Sequence, residues 1–305
     1  MSPETCKLVE EAIEQLNYRP SAIARSMARG ETKTIACISP NLTDYTFASI
    51  IEGAENKARD QNYYTLSSSA ADVKNFKELI KQLVGYRRID GLIVINPYID
   101  DRYQFVPEDF PLVFVGAHSR ESHICSVSLD DKNAAYKATS HLISLGHKRI
   151  GMISGPLQED CTRDRNEGFK QAMHESGLNI DESLIFEGDW TATLAKDITI
   201  EIAQHTHLPS AIFAQNDRMA MGVLRAAAEL NWKVPEDLAV IGFDDMPLSS
   251  YFNPPLTTMR QDMVRIGREA TRLLLTIIKG KKASSCNIKI SAELIIRQST
   301  DVHSN

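Results

Sequence analysis

Apolar positions along the chain fall into two rhythms that alternate from Thr34 onward. Short runs rich in β-branched residues, "TIACISP", "GLIVINP", "PLVFVGA", "RIGMISGP", "AIFAQND" and "LAVIGFDD", each close in a polar or glycine-containing loop. Amphipathic stretches of helical period lie between them, near 47–61, 74–86, 132–145, 163–177, 192–205, 217–230 and 261–279. Strands that are apolar throughout belong to parallel sheets covered on both faces, and their alternation with helices predicts an α/β fold. The number of runs suits two doubly wound lobes. "RIGMISGP" restarts the pattern begun by "TIACISP", although the halves are too dissimilar to count as a repeat. The last strand candidate, "CNIKISAELIIRQST", follows a long helix and a Lys/Gly/Ser loop, so the chain is expected to return and complete both lobes. In such folds ligands sit beyond the carboxyl ends of strands, here the loops around Pro40, Asn96, Gly155, Asn216 and Asp244.

Ahead of Thr34 the pattern differs. Ser2-Pro3-Glu4 supplies an N-cap, a proline at the first helical position and a carboxylate in the first turn. Leu8, Val9, Ala12, Ile13 and Leu16 then recur on one helical face. A helix this short is marginal alone, and its stripe needs a partner that the next residues do not supply. It reads as the last piece of a small bundle whose beginning is missing. Next comes "YRPSAIARSM", a short, basic, weakly apolar segment.

The 305 residues carry a net charge of −6 and are 43% hydrophobic, enough for a large core. That acidity argues against a surface coated for nucleic acid, but Arg19, Arg25, Arg29 and Lys33 face only Glu31 between Tyr18 and Thr34, so a basic segment is attached to an acidic body. With no signal segment and no apolar run long enough for a bilayer, the expected location is the cytoplasm, with no membrane contact. Five cysteines without paired spacing are read as free thiols rather than a disulfide framework or a zinc site.

Catalysis lacks a signal, and no cofactor is expected: dinucleotide, P-loop and nucleophile-elbow motifs are all missing. His205 and His207 diverge near a helix end with no third ligand nearby in sequence and read as solvated. The adjacent carboxylates Asp244 and Asp245 do not have the opposed environments that an acid–base pair needs. The polar groups at strand ends suit instead a polyhydroxylated small molecule. Arg165 offers a planar fork of donors, Asp244 can accept from two hydroxyls, and Asn216 can do both. Trp190 in "EGDW" can lay its face on a sugar ring. The bland alternatives are a surface ion pair of Arg165 with Glu167 or Asp164, a turn or cap role for Asp244, and core packing for Trp190.

Four blocks, taken together, resemble the lactose and galactose repressor family of bacterial transcription regulators. They are "MSPETCKLVEEAIEQLNYRPSAIARSMARGETKTIACISPNLTDYTFASIIEGAENKARDQNY", "HLISLGHKRIGMISGP", "NDRMAMGVLRAAAELNWKVPEDLAVIGFDDMPLSSYFNPPLTTMRQD" and "AELIIRQST". The match runs in order from about residue 2 to 300, and "VPEDLAVIGFDD" through "PPLTT" is close to a family signature. The resemblance implies a helix-turn-helix domain, a hinge helix and a two-lobed effector domain built like periplasmic sugar-binding proteins. The implied division is residues 1–18 as the last helix of the DNA-reading domain and 19–33 as hinge helix and linker. Residues 34–129 with 261–287 would form the first lobe, and 130–260 with 288–305 the second.

In this family the segment matching "RPSAIARSM" folds as a short helix when two subunits meet on the operator, and it inserts an apolar side chain into the minor groove. DNA contact is accordingly expected at Arg19, Ala24, Arg25 and Met27, with Met27 as a softer wedge than the family's usual Leu. The family's first two helices should precede Ser2 and are absent, so this chain is expected to bind operator poorly. "MSPET" stands where the family has "VSPET", as from a GTG valine codon read as a start or from a cut at that point.

Carried over one by one, Arg165 takes the position of the family's ligand-gripping arginine and Trp190 that of the stacking aromatic of sugar-responsive members. Asn216 and Asp244 fall at hydroxyl-binding positions, and Phe47 at a pocket-facing aromatic one, although Tyr45-Thr46 departs from the usual Asn-Pro-Phe pattern. Acidic Glu159 and Asp160 argue for a neutral sugar over a sugar phosphate. The resulting expectation is a non-enzymatic, dimeric, sugar-responsive repressor acting on operator DNA, with no C-terminal coiled coil for a tetramer. Its rivals are a regulator answering to a phosphorylated carrier protein and a solute-binding protein. The latter would need an export signal and has no use for an arginine-rich segment.

Overall fold

The computed structural model describes residues 2–17, 30–98, 100, 102–116, 118, 124–281 and 285–300. The expected hinge residues Arg19, Ala24, Arg25 and Met27 lie outside this set. The first helix, α1 (Pro3–Gln15), forms as its caps predict, with the Thr5 amide donating to Ser2 Oγ at 3.3 Å. None of its residues is buried, and Leu8 and Leu16 are 67% and 78% exposed, so the predicted stripe is real and bare.

From Thr34 the chain builds two parallel sheets. The first contains β1 (Thr34–Ser39), β2 (Tyr64–Ser69), β3 (Gly91–Ile95), β4 (Leu112–Val115), β5 (Cys125–Leu129) and β11 (Asn287–Ile290), ordered β11-β5-β4-β3-β1-β2. The second contains β6 (Ile150–Ser154), β7 (Ile185–Glu187), β8 (Ala211–Ala214) and β9 (Ala239–Ile241), ordered β7-β6-β8-β9. Beside it runs an antiparallel pair, β10 (Thr258–Arg260) with β12 (Glu293–Ile295). Both sheets are covered on both faces, as their unbroken apolar runs require. In β1, Ile35 and Cys37 enter one core layer and Ala36 and Ile38 the opposite one. In the second sheet, Met152 and Phe213 face one layer and Ile153 and Ile212 the other.

Three helix pairs cover these faces: α2 (Tyr45–Arg59) with α8 (Met263–Ile278), α4 (Asp131–Ser144) with α5 (Asp160–Glu175), and α6 (Ala192–Ile202) with α7 (Asp217–Glu229). The short α3 (Val73–Ile80), capped by Asp72, covers the far face of the first sheet. Where α2 meets α8, a Cβ on Gly53 or Gly267 would overlap the backbone carbonyl of Val264 or Ile50. Only glycine allows so close an approach.

Two expectations need correction. The strand expected over 286–300 is broken at Ser291-Ala292: β11 pairs in parallel with β5 in the first sheet, and β12 pairs with β10 on the second. The crossing between lobes therefore falls at 291–292 and not after 287, because one continuous strand cannot serve two sheets. The chain also crosses between β5 and α4 and between β10 and α8. The cysteines are not all free thiols: Cys125 and Cys286 are joined in a disulfide, with Cα atoms 4.3 Å apart, while Cys6, Cys37 and Cys161 are free. The two partners are 161 residues apart in sequence and meet only because β5 and β11 are neighbours. Among the described residues no helix is long and apolar enough to cross a membrane.

Candidate functional site

Each sheet reverses its strand order once. In the first, β1 is flanked by β2 on one side and β3 on the other; in the second, β6 is flanked by β7 and β8. The loops leaving such neighbours diverge to opposite faces and leave a crevice at the strands' carboxyl ends. Here the two crevices face each other across one cleft of about 300 Å³. Pro40, Pro97 and Tyr98 reach it from the first sheet, and Asn216 and Asp244 from the second. Phe47, Arg165 and Trp190 line it too, so all five expected effector residues come together.

Arg165 sits one turn into α5 and is only 5% exposed. Its Nε–H donates to Asp131 Oδ1 at 2.8 Å and Nη1–H to the Gln215 carbonyl at 2.5 Å. The guanidinium carbon lies 3.7 Å from the centroid of the Phe243 ring and 5.8 Å from that of Trp190. Burial is the largest influence on this group and would lower its pKa, but Asp131, Cys161 and Asp244 together outweigh it, so the net shift is upward and the arginine stays charged. The ion pair considered with Glu167 or Asp164 does not form; the partner is Asp131, the first residue of α4. Burial pushes Asp131 upward, and Arg165 opposes it.

Asp244 leaves β9 with φ of 118°, in the region that favours glycine, its amide donating to the Met259 carbonyl. Such backbone is held only where its surroundings over-determine it, commonly at functional sites. Gln261 Nε2–H donates to its Oδ1 at 2.5 Å. Burial raises the Asp244 pKa well above its ordinary value; Arg165 opposes this, while Asp217 and Asp44 add to it. Asp245 turns away to Arg260 and Arg297 at 2.7 and 2.6 Å, so the two adjacent carboxylates do separate work.

Trp190, at φ of 66°, lies over Gly155, where a Cβ would overlap its ring, and its Nε1–H donates to Glu159 Oε2 at 3.1 Å. It also packs against a hydrophobic core of the second lobe, as the core-packing alternative expects. Asn216 is the N-cap of α7: its Oδ1 accepts from the Met219 amide at 2.7 Å, and Nδ2–H donates to the Trp190 carbonyl at 3.3 Å. It borders the cleft as a brace for Trp190 more than as a free hydroxyl reader. Phe47, on α2, is half-buried against the first core.

Four groups in or near the cleft escaped the sequence reading: Asp131, Gln261, the Asp44–Arg218 ion pair at 2.5 Å between lobes, and the Glu159 bond to Trp190. Asp131 had a signal, since "SVSLDD" ends a short alternating run before a helix; the others depend on contacts distant in sequence. Among the described residues no cluster of three or more His, Cys, Asp or Glu side chains is arranged to hold a metal.

Two facing α/β lobes, three crossings and a polar cleft between them define a periplasmic-binding-protein-like receptor fold, and residues 139–300 match the family model for a periplasmic binding protein-like domain. Along 305 aligned residues, 98% of this chain and 89% of the relative, it is 33% identical to the HTH-type transcriptional repressor CytR of Escherichia coli K12. The structure is similar to that of a lac repressor dimer bound to operator and the anti-inducer ONPF, with TM-score 0.85 and 26% identity over 93% of this chain and 99% of that one. It is also similar to a complex of the transcriptional regulator CelR with cellobiose, with TM-score 0.81 and 26% identity over 98% and 91% of the two chains. The chain belongs to the lactose and galactose repressor (LacI) family of transcriptional regulators.

Proposed function

We propose that this chain is the effector-binding part of a dimeric transcriptional repressor whose signal is a small neutral sugar held in the cleft. The observation that carries the reading is the convergence of an aromatic face, Trp190, with a buried cation, Arg165, and a buried carboxylate, Asp244, around one volume. A sugar ring presents an apolar face to stack and a rim of hydroxyls to bond. Trp190 meets the first need, Arg165 Nη2 and Asp244 Oδ2 meet the second, and Phe47 closes the apolar side from the other lobe. Two cations, Arg165 and Arg218, stand against Asp44, Asp131, Glu159, Asp189 and Asp244, a balance that disfavours sugar phosphates. The similar regulator CelR in complex with cellobiose supports a carbohydrate ligand, and the lac repressor dimer on its operator supports dimeric action on DNA. Contact through Arg19, Ala24, Arg25 and Met27 remains part of the proposal. Ligand binding would change how the lobes close and thereby bias the pairing of those segments, a population shift driven by differential affinity.

The test is a thermal-shift panel of neutral mono- and disaccharides, sugar phosphates and purines. A ligand at about 100 times its Kd stabilises by roughly 2.7 kcal/mol, a shift of several degrees for a chain of this size. The expected result is a shift with one neutral sugar that is lost in Asp244→Ala. A response confined to phosphates or purines would overturn the sugar reading.

A further inference from the structure

We propose that Glu159 is a positioning and specificity-determining residue of the cleft: its carboxylate holds the Trp190 indole in the stacking plane and keeps anionic ligands away from that plane. The second half of this rests on the sugar reading above; the first half does not.

The geometry of the indole carries the positioning role. One face of the ring lies on the backbone of Gly155, which has no side chain to tilt it. The backbone of Trp190 is held in a left-handed conformation with its carbonyl taken by Asn216 Nδ2–H. What remains free is rotation of the side chain, and Glu159 Oε2, accepting from Nε1–H at 3.1 Å, fixes it. Glu159 is only 7% exposed, so this bond is shielded from competing water. The carboxylate is itself positioned from the other lobe: Glu159 forms an antiparallel bridge with Tyr98, and the Asp160 amide donates to the Pro97 carbonyl at 3.0 Å. The orientation of the aromatic platform is thus tied to the seam between the lobes.

The charge pattern carries the selective role. Asp131 is neutralised by Arg165 and Asp44 by Arg218, whereas Glu159 has no ion-pair partner among the described residues. Its hydrogen bonds come from Trp190 and, weakly, from the Cys161 thiol at 3.8 Å. Burial raises its pKa, with Trp190 and Arg165 opposing, as expected for a carboxylate short of compensation. A hydroxyl at the ring edge would donate to Oε1. A phosphate or carboxylate there would meet an unscreened like charge at low effective dielectric.

The chain contains two tryptophans, so Trp232→Phe leaves Trp190 as the sole indole reporter. In that background the probes are iodide and caesium ions as quenchers, with no sugar present. Relative to its quenching of free tryptophan, caesium is expected to be more effective on Trp190 than iodide is. Glu159→Gln, which keeps an acceptor but removes the charge, should raise iodide quenching by about threefold with the emission maximum unchanged. Glu159→Leu, which removes both, should also shift the emission and lower the fluorescence anisotropy. Glu159→Asp, which keeps the charge but withdraws the acceptor, should shift the emission alone and serves if the leucine variant fails to fold. An unchanged iodide-to-caesium ratio in Glu159→Gln overturns the filter, and unchanged emission in both Glu159→Leu and Glu159→Asp overturns the positioning role. With sugars added, Glu159→Gln should narrow the preference for the bound neutral sugar over its phosphate by about tenfold. Quenching as expected but no sugar response from any variant would count against the sugar reading and leave the indole result standing.

Discussion

The two walls of the cleft are built on different principles. The first lobe contributes Phe47, Ile50, Ile95 and Val115, continuous with its core, and few polar groups besides Asp44 and Asn41. The second contributes Arg165, Asp131, Glu159, Asp244 and Trp190, each already bonded to a protein partner. Buried charges need their partners fixed before a ligand arrives, because an unpaired one costs several kcal/mol. An apolar wall needs only shape. On the proposed function, the second lobe would read the ligand and the first would cover it.

If that contrast holds, the largest effect comes from breaking the second wall at its centre. Arg165→Ala leaves Asp131 buried without its cation, which costs about 3–5 kcal/mol and lowers Tm by about 10 °C. It should also abolish sugar binding in calorimetry. A variant that melts like the parent would mean that Asp131 finds another partner and that the network is not preassembled.

Next in size is the behaviour of Asp244 with pH. Burial raises its folded pKa, so the folded state holds that proton longer than the unfolded chain does. The resulting stabilisation is fully present below the unfolded pKa and is lost as pH rises through the raised folded value. If the proposed sugar binds through the ionised Asp244 acceptor, its affinity should move the other way, strengthening as pH rises through the same range. Asp131 and Glu159 share the direction of the stability effect. Melting temperature of the free protein and calorimetric affinity should therefore trend oppositely as pH rises above the ordinary carboxylate range, and Asp244→Asn should flatten the affinity curve and weaken the sugar by about 30-fold. Parallel trends would remove Asp244 from the ligand.

The same contrast explains what was legible in the sequence. Strands apolar on both faces, such as β3 and β6, and helices with caps, such as α7 and α8, declared themselves through composition and spacing. Two edge strands did not: β2, "YTLSSS", is mostly exposed, and β7 has three residues, whereas the edges β9 and β11 lay in expected runs; the interior β5, "CSVSL", was also missed. The place of Trp190 and Asp244 at the cleft was legible because each lies a few residues past a strand and belongs to a motif, and that of Arg165 because its motif opens the helix after β6. Their supports were not, since Asp131, Glu159 and Gln261 act through contacts 34, 31 and 17 residues away. The disulfide was misread for the same reason: pairing across 161 residues follows from sheet order and not from spacing.

A smaller effect is expected from the first wall. Phe47→Ala removes apolar contact with the ligand while leaving the polar network of the second lobe intact, so affinity should fall by about tenfold, or 1.4 kcal/mol. The pH dependence should be unchanged. Complete loss of binding would erase the distinction between reading and covering, because it would make the first lobe a source of recognition.

The smallest effect should come from the ion pair that joins the walls. Asp44 caps α2 by accepting from the Thr46 amide at 2.9 Å, and its other oxygen meets Arg218 on α7. The Arg218 side chain is 43% exposed, so solvent screens the pair and its contribution is expected to stay below about 1 kcal/mol. Arg218→Gln leaves the cap of α2 in place, which separates closure of the cleft from the integrity of the helix. Sugar affinity should then drop by about threefold at low salt, and wild type and variant should converge near 1 M salt, where the screening length is about 3 Å. A larger loss that persists at high salt would mean that Arg218 touches the ligand, and would assign recognition to the entrance of the cleft as well as to its floor.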